Sequence, residues 1–181
     1  TLDVLALPRS SYDECVEYIC EDLEAAAAIL PEQQIDAYWM RPTRGAALSL
    51  ISRLRLYAAS PLYNGNNQFY SNWMNVDGSH FISQTEDNEK WAEAAVAAYR
   101  VIQLAEDQGV YGLHIKPRKE NSPLLAPNVP TASFPEGAGD IDVYHSYSDM
   151  FNGETIMYKN VECIWGDDSE ATSLNRIQQG T

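Results

Sequence analysis

Three stretches of the chain repeat apolar residues at three- and four-residue intervals, which predicts three amphipathic helices. They cover about residues 11–30, 43–60 and 88–108. Ser11 and Glu14 have capping-box spacing at the start of the first helix, and Pro31 ends it. Pro42 or Thr43 opens the second helix. Because Gly109 follows the third helix, where a left-handed C-cap is favoured, we expect that helix to end there.

Alanine is frequent on the apolar faces of these helices, and small residues let neighbouring helices approach closely. Trp91 begins the apolar face of the third helix, so we expect it in the core. The predicted fold class is mainly α: a scaffold of helical hairpins in residues 1–109, with long irregular loops. The cysteines, Cys15, Cys20 and Cys163, are too scattered for a disulfide framework and are expected as core thiols.

Residues 110–181 contain several prolines and little periodicity, which predicts an irregular segment. A short β-rich run near 161–165 predicts one strand, and residues 146–151 fit a short helix. Because such a segment has few means of forming its own core, we expect it to pack on something outside this chain.

The connection from Leu62 to Glu86 is long and rich in aromatic residues and asparagine. Aromatic rings offer rigid faces to the apolar side of a sugar, and amides pair with hydroxyl groups. The candidate ligand-binding residues are Trp73, Tyr70, Tyr63, Asn66, Asn67, Asn72 and Asn75. The alternative is that these aromatic side chains only seal the loop onto the helices. For Tyr63, which directly follows the second helix, this alternative is the simpler explanation.

The charge balance excludes several functions. Asp and Glu total 26 against 12 for Lys and Arg, a net charge of −14. A nucleic-acid partner needs clustered cations, and an anionic membrane surface would repel this chain. No apolar run is long enough to span a bilayer.

No catalytic motif is present in the sequence: His80, His114 and His145 are isolated, and no glycine-rich phosphate loop precedes a helix. Asp140, Asp142 and His145 could in principle ligate a metal, but a turn with solvated acids explains them more simply. We therefore expect no enzyme activity, no cofactor and no metal.

Several motifs resemble the SusD/RagB family of outer-membrane nutrient-binding lipoproteins from Bacteroidetes-type bacteria. The run from Trp39 through Arg44-Gly45-Ala46-Ala47 to Leu56-Tyr57-Ala58-Ala59-Ser60-Pro61-Leu62-Tyr63-Asn64-Gly65 is similar to the family pattern. Further similar stretches are Pro8-Arg9-Ser10-Ser11-Tyr12, Asp22-Leu23-Glu24-Ala25-Ala26, Trp91-Ala92 with Ala94-Ala95, and Asn160-Val161-Glu162-Cys163-Ile164-Trp165.

The resemblance implies a tetratricopeptide-like scaffold that binds an oligosaccharide or another nutrient at the cell surface. It also implies delivery of that ligand to a SusC-like, TonB-dependent transporter in polysaccharide utilisation, without catalysis. Family members are considerably longer, so we expect this chain to be an internal fragment and a partial SusD-like domain. The alternative function is a helical-repeat scaffold that contacts the transporter and has no ligand site in this segment.

Overall fold

The computed structural model describes residues 8–35 and 38–166 and is mainly helical. The helices are α1 (Tyr12–Ile29), α2 (Arg44–Ala59), α3 (Asn67–Tyr70), α4 (Glu89–Gln108) and α5 (Val143–Ser148), followed by a 3-10 helix (Met157–Lys159). The predicted fold class is confirmed. The three long helices begin and end within one residue of the predicted limits.

Local capping explains why these limits could be read from the sequence. The Ser11 hydroxyl accepts a hydrogen bond from the Glu14 amide at 3.2 Å, and the Glu14 carboxylate accepts one from the Ser11 amide at 2.7 Å. Thr43 caps α2 by accepting from the Ala46 amide at 3.2 Å. Gly109, with φ +61°, has the left-handed conformation expected after α4.

The chain forms two compact units. The helical unit comprises the described residues up to Gln33 together with Pro42–Asp107, and the second unit comprises the described residues of Gln34–Arg41 and those from Gln108 onward. Residues 34–35 and 38–41 therefore group with the second unit, whereas the predicted boundary at 109/110 assigns them to the first segment. The assignment of the chain as one partial domain stays a prediction.

In the helical unit, α1 and α2 form an antiparallel pair. Near the end of α1, the Arg44 side chain donates to the Ala27 carbonyl oxygen at 3.1 Å. At the opposite end of the pair, Arg55 donates to Glu17 Oε2 at 2.7 Å. Alanine and glycine line the contact, with Gly45 and the two alanines after it all buried on α2. The small side chains allow this close approach.

Helix α4 runs parallel to α1 and is joined to it by ion pairs at two levels. Lys90 Nζ lies 2.7 Å from Asp13 Oδ1, and Arg100 Nη2 lies 2.7 Å from Glu24 Oε2. The beginning of α1, the end of α2 and the beginning of α4 therefore lie at the same end of the unit. The loop between α2 and α4 covers this end.

The apolar core of the helical unit is made mostly of small side chains. Its buried residues are Val16, Cys20, Ala27, Ala46, Ala47, Leu48, Ile51, Ala58, Ala59, Phe81, Ile82, Ala94, Ala97 and Leu104. The prediction that Trp91 lies in the core is wrong, because 43% of this residue is exposed. Tyr99 and Ile102 are also exposed on α4. The apolar stripe of α4 is wider than the surface that α1 and α2 cover, so only its Ala94–Ala97–Leu104 edge is buried.

The cysteines are free thiols, but only Cys20 is buried. Cys15 is exposed, which corrects its prediction as a core thiol, and Cys163 is half-buried. Burial raises the pKa of the Cys20 thiol above its ordinary value, since the thiolate would lose hydration there.

The second unit differs from its predicted secondary structure in two places. The short helix α5 begins at Val143, three residues before the predicted residue 146, because Asp142 caps it by accepting from the His145 amide at 3.0 Å. The predicted strand at 161–165 is absent from the described residues. There, the Val161 carbonyl accepts a single bond from the Gly112 amide, at 3.0 Å, and a strand needs a ladder of such bonds.

Candidate ligand-binding site

Hydrogen bonds join the two ends of the loop between α2 and α4 to each other, and they join the loop to the start of α1. The Asn64 side chain donates to the Asp87 carbonyl oxygen at 2.7 Å and accepts from the Asp87 amide at 2.8 Å. Asn64 is buried, so these two bonds replace hydration that its amide has lost. In the second half of the loop, the Phe81 carbonyl oxygen accepts from the Tyr12 amide at the start of α1, at 2.7 Å.

Gly65 makes this closure sterically possible. Its φ is +76°, and a Cβ at this position would lie 2.4 Å from the Glu86 amide nitrogen. The backbones of the two loop ends therefore lie in contact at Gly65, where any side chain would collide with the backbone of Glu86. The loop is thereby held as one ordered body between Asn64 and Asp87.

Five aromatic side chains form a continuous row on this loop and the start of α1. They are Tyr12, Tyr63, Tyr70, Trp73 and Phe81, and we name them the aromatic row. The ring centroids of successive members are 4.7, 6.5, 5.7 and 5.0 Å apart. The first two steps are nearly parallel, with interplanar angles of 12° and 10°, whereas the last two are tilted.

Exposure varies along the aromatic row. Trp73 is the most open ring, with 44% of the residue exposed, while Phe81 is buried. Tyr12, Tyr63 and Tyr70 are half-buried. Burial is the main cause of a raised pKa at Tyr12, so its phenol stays neutral and can donate a hydrogen bond. The row therefore packs the loop onto α1, which is the structural role given above as the alternative for these residues. It also leaves Trp73 accessible.

The predicted asparagines divide into two kinds. Asn66 caps α3 by accepting from the Phe69 amide at 3.0 Å, and Asn75 donates to the Arg9 carbonyl oxygen at 3.0 Å. These two side chains hold the loop in shape. Asn67 and Asn72 are exposed, and neither side chain makes a hydrogen bond within the part of the chain that the structure describes. They remain free to bind a ligand.

A shallow depression of about 430 Å³ lies beside α3. Its lining includes Pro61, Leu62, Gly65, Asn66, Asn67 and Phe69. Asn67, the first residue of α3, thus lines an open concave surface of mixed polar and apolar character.

Two residues at this site were absent from the sequence-based candidates. Tyr12 stacks on Tyr63 at 4.7 Å, and the Arg9 guanidinium lies over the Phe81 ring at 5.4 Å from its centroid. Both residues belong to the Pro8–Tyr12 stretch, which also carried the family resemblance. That stretch was the available signal, but the sequence spacing does not show that it meets a loop more than fifty residues away.

Asp142, one of the acids considered as metal ligands, has a structural role in the second unit. Its carboxylate accepts from the His145 ring at 2.8 Å and from the Ser122 hydroxyl. The bond from the His145 amide and that from Ser122 hold the pKa of Asp142 well below its ordinary value. Asp140 instead accepts from the Phe134 amide at 2.8 Å. Across residues 8–35 and 38–166, no three acidic, histidine or cysteine side chains form a group that could hold a metal ion.

Within the described ranges, none of the helices combines the length and apolar character needed to cross a membrane.

Residues 2–56 match the family model SusD-like_3, which is described as "Starch-binding associating with outer membrane". No curated protein matches this chain. Two solved structures of BT4246, a SusD-like protein of Bacteroides, are similar to it. One is 30% identical over 66% of this chain and 23% of the other, with a TM-score of 0.55. The second, the selenomethionine form, is 28% identical over 90% of this chain, with a TM-score of 0.59.

The chain spans about a quarter of the length of these solved proteins, 23% of one and 28% of the other. The match begins before α1 and includes most of α2, the helical pair that carries the motifs described above. The family match and the two similar structures confirm the resemblance predicted from the motifs, and they support a SusD-like segment of a longer protein.

Proposed function

We propose that this chain is part of a non-catalytic protein that binds a glycan or related nutrient at the outer surface of a Gram-negative bacterium. The observation that carries the proposal is the aromatic row, with Trp73 open at 44% exposure and with two exposed asparagines on the same loop, Asn67 and Asn72, whose amides can bind a ligand. The description of the matched family, starch-binding and associated with the outer membrane, supports the same function.

The physical basis is the two-sided character of a sugar ring. Its C–H face is apolar and gains from contact with an aromatic plane, while its hydroxyls need polar partners once they leave water. Trp73 supplies the plane, and Tyr70 lies 5.7 Å from it as a second ring. The contacts of Trp73 with both Tyr70 and Phe81 restrict its motion, so little conformational entropy is lost on binding.

We further propose that the whole protein passes its ligand to a SusC-like, TonB-dependent transporter and is held at the membrane by a lipid anchor outside this chain. The sequence contains no catalytic motif that we recognise, and this supports a protein that binds its ligand without catalysing a reaction. Neither a nucleic-acid partner nor a cofactor is part of this proposal.

The alternative is that the helical unit serves as a protein-contact scaffold. The observation that favours it is a groove of about 440 Å³ between α2 and α4, where Leu56, Tyr57 and Ile102 are exposed. Arg55 is less suited to such a contact, because it already pairs with Glu17 and Glu93. A pull-down with the transporter would test this alternative separately from glycan binding.

Affinity gel electrophoresis on a panel of soluble polysaccharides tests the main proposal. The protein should be retarded by at least one polysaccharide, and Trp73→Ala should reduce that retardation. Trp91→Ala is a matched control, since Trp91 is equally exposed, at 43%, but lies outside the aromatic row. Equal loss in both variants, or no retardation on any polysaccharide, would contradict the proposal.

A further inference from the structure

Arg9 lies at the Phe81 end of the aromatic row. Its guanidinium is 5.4 Å from the Phe81 centroid, and the Phe81 ring is 5.0 Å from that of the exposed Trp73. The Arg9 backbone is fixed as well, because its carbonyl oxygen accepts from the Asn75 side chain at 3.0 Å. A positive charge is therefore held one ring away from the proposed stacking surface.

The Arg9 guanidinium has no carboxylate partner within the described part of the chain, although the protein is strongly acidic. Three other arginines of the helical unit do have one, whereas Arg53 does not within the same described residues. Arg44 pairs with Glu32, Arg55 with Glu17 and Glu93, and Arg100 with Glu24. Arg9 is also exposed, so its charge is available to a ligand.

Asp77, two residues after Asn75 in the loop, is already engaged in a turn. Asp77 Oδ1 accepts from the Ser79 amide at 2.9 Å and from the Ser79 hydroxyl at 2.7 Å, which closes a tight turn. These bonds lower the pKa of Asp77, so its charge is stabilised within the turn.

We infer that the ligand of the aromatic row carries an anionic group, and that Arg9 recognises it as a carboxylate on an acidic sugar. This inference rests on the proposed glycan-binding function and names the substrate class. A uronate residue has both parts that the site needs: a C–H face for Trp73 and a carboxylate that a guanidinium can bind through two parallel hydrogen bonds. The guanidinium lies 5.4 Å from the Phe81 centroid, a cation–π contact that does not use its N–H donors.

The test uses matched pairs of polysaccharides: a uronic-acid polymer and the same polymer after chemical reduction of its carboxyl groups. Alginate, polygalacturonate and glucuronoxylan are suitable probes. For at least one pair, the protein should bind the carboxylate form about threefold to tenfold more tightly, as measured by affinity gel electrophoresis. Added salt should shrink the difference, because Arg9 is exposed.

Three arginine variants locate the effect. Arg9→Gln should abolish the preference for the carboxylate form, and Arg9→Lys should keep part of it, because lysine retains the charge but not the paired donors. Arg53→Gln removes the same charge from the exposed surface of α2 and should change nothing.

The outcomes separate this inference from the proposed function. Trp73-dependent binding that ignores the carboxyl group, or that survives in Arg9→Gln with its preference intact, would overturn the inference and leave glycan binding standing. Absence of binding to every polymer, including the soluble polysaccharides of the panel above, would overturn both.

Discussion

At the scale of the residue, the shape of the candidate site depends on one buried polar side chain, that of Asn64. Asn64 bonds to both the amide and the carbonyl oxygen of Asp87, and so closes the loop that carries Trp73. The sequence shows Asn64 only as one of several asparagines in a polar loop. Its burial depends on a partner 23 residues away, which residue type and spacing do not reveal.

Replacement of Asn64 by alanine should destabilise the protein by about 1–3 kcal/mol, since both Asp87 groups lose a buried partner. Urea unfolding followed by circular dichroism measures this change. Asn67→Ala is the control: its side chain is exposed, and the change should stay within about 0.5 kcal/mol. Equal effects of the two substitutions would contradict the role given to Asn64.

At the scale of the element, the helices were predictable and their buried faces were less so. Caps act within a few residues, so Ser11, Thr43 and Gly109 mark helix limits that the structure confirms. Which side of α4 is covered depends on neighbouring helices, and for this reason Trp91 was wrongly predicted as core. The strand predicted at 161–165 failed for a related reason, because a strand requires a partner elsewhere in the chain.

In the candidate site, too, local features could be predicted and contacts between distant parts of the chain could not. The chemistry of the loop between α2 and α4 could be predicted, because aromatic rings and asparagines are visible in its composition. Tyr63, Tyr70 and Trp73 do come together. The order of these rings in space could not be predicted, because it depends on tertiary contacts. The same holds for the contacts that Arg9, before α1, and Tyr12, at its start, make with this loop.

Two glycines of this loop give a test of how its ends are held. Gly65→Ala should destabilise the protein strongly, because the new Cβ would lie 2.4 Å from the Glu86 amide nitrogen in addition to the strain of φ +76°. Gly78→Ala has similar strain, at φ +86°, but nothing within 4 Å, so its cost should be about 1–2 kcal/mol. Urea unfolding measures both variants, and a smaller cost at Gly65 than at Gly78 would contradict the described closure.

At the scale of the helical unit, ion pairs join helices within a strongly acidic chain. Arg55 holds the pKa of Glu17 below its usual value of 4.5, and Arg100 does the same for Glu24. Because these pKa values are lowered in the folded state, the unfolded chain takes up protons first as the pH falls. The stabilisation from these pairs is therefore present above the usual carboxyl pKa and is lost below it.

The free energy of unfolding should accordingly stay level from pH 7 to about pH 5 and decrease below that. Arg100→Gln should make the decrease shallower, because Glu24 then titrates near its ordinary pKa in both states. Arg53→Gln is the control, since Arg53 has no carboxylate partner within the described ranges. Urea unfolding at a series of pH values provides the measurement, and an unchanged slope in Arg100→Gln would contradict this account.

The central claim, that the aromatic row binds a sugar through Trp73, is tested most directly by calorimetric titration with the polysaccharide that retards the protein best. Trp73→Ala should raise the Kd about tenfold, while Trp73→Phe, which keeps an aromatic face, should raise it less. Trp91→Ala should leave the Kd unchanged. A Kd that is the same in Trp73→Ala as in the unmodified protein would contradict the claim.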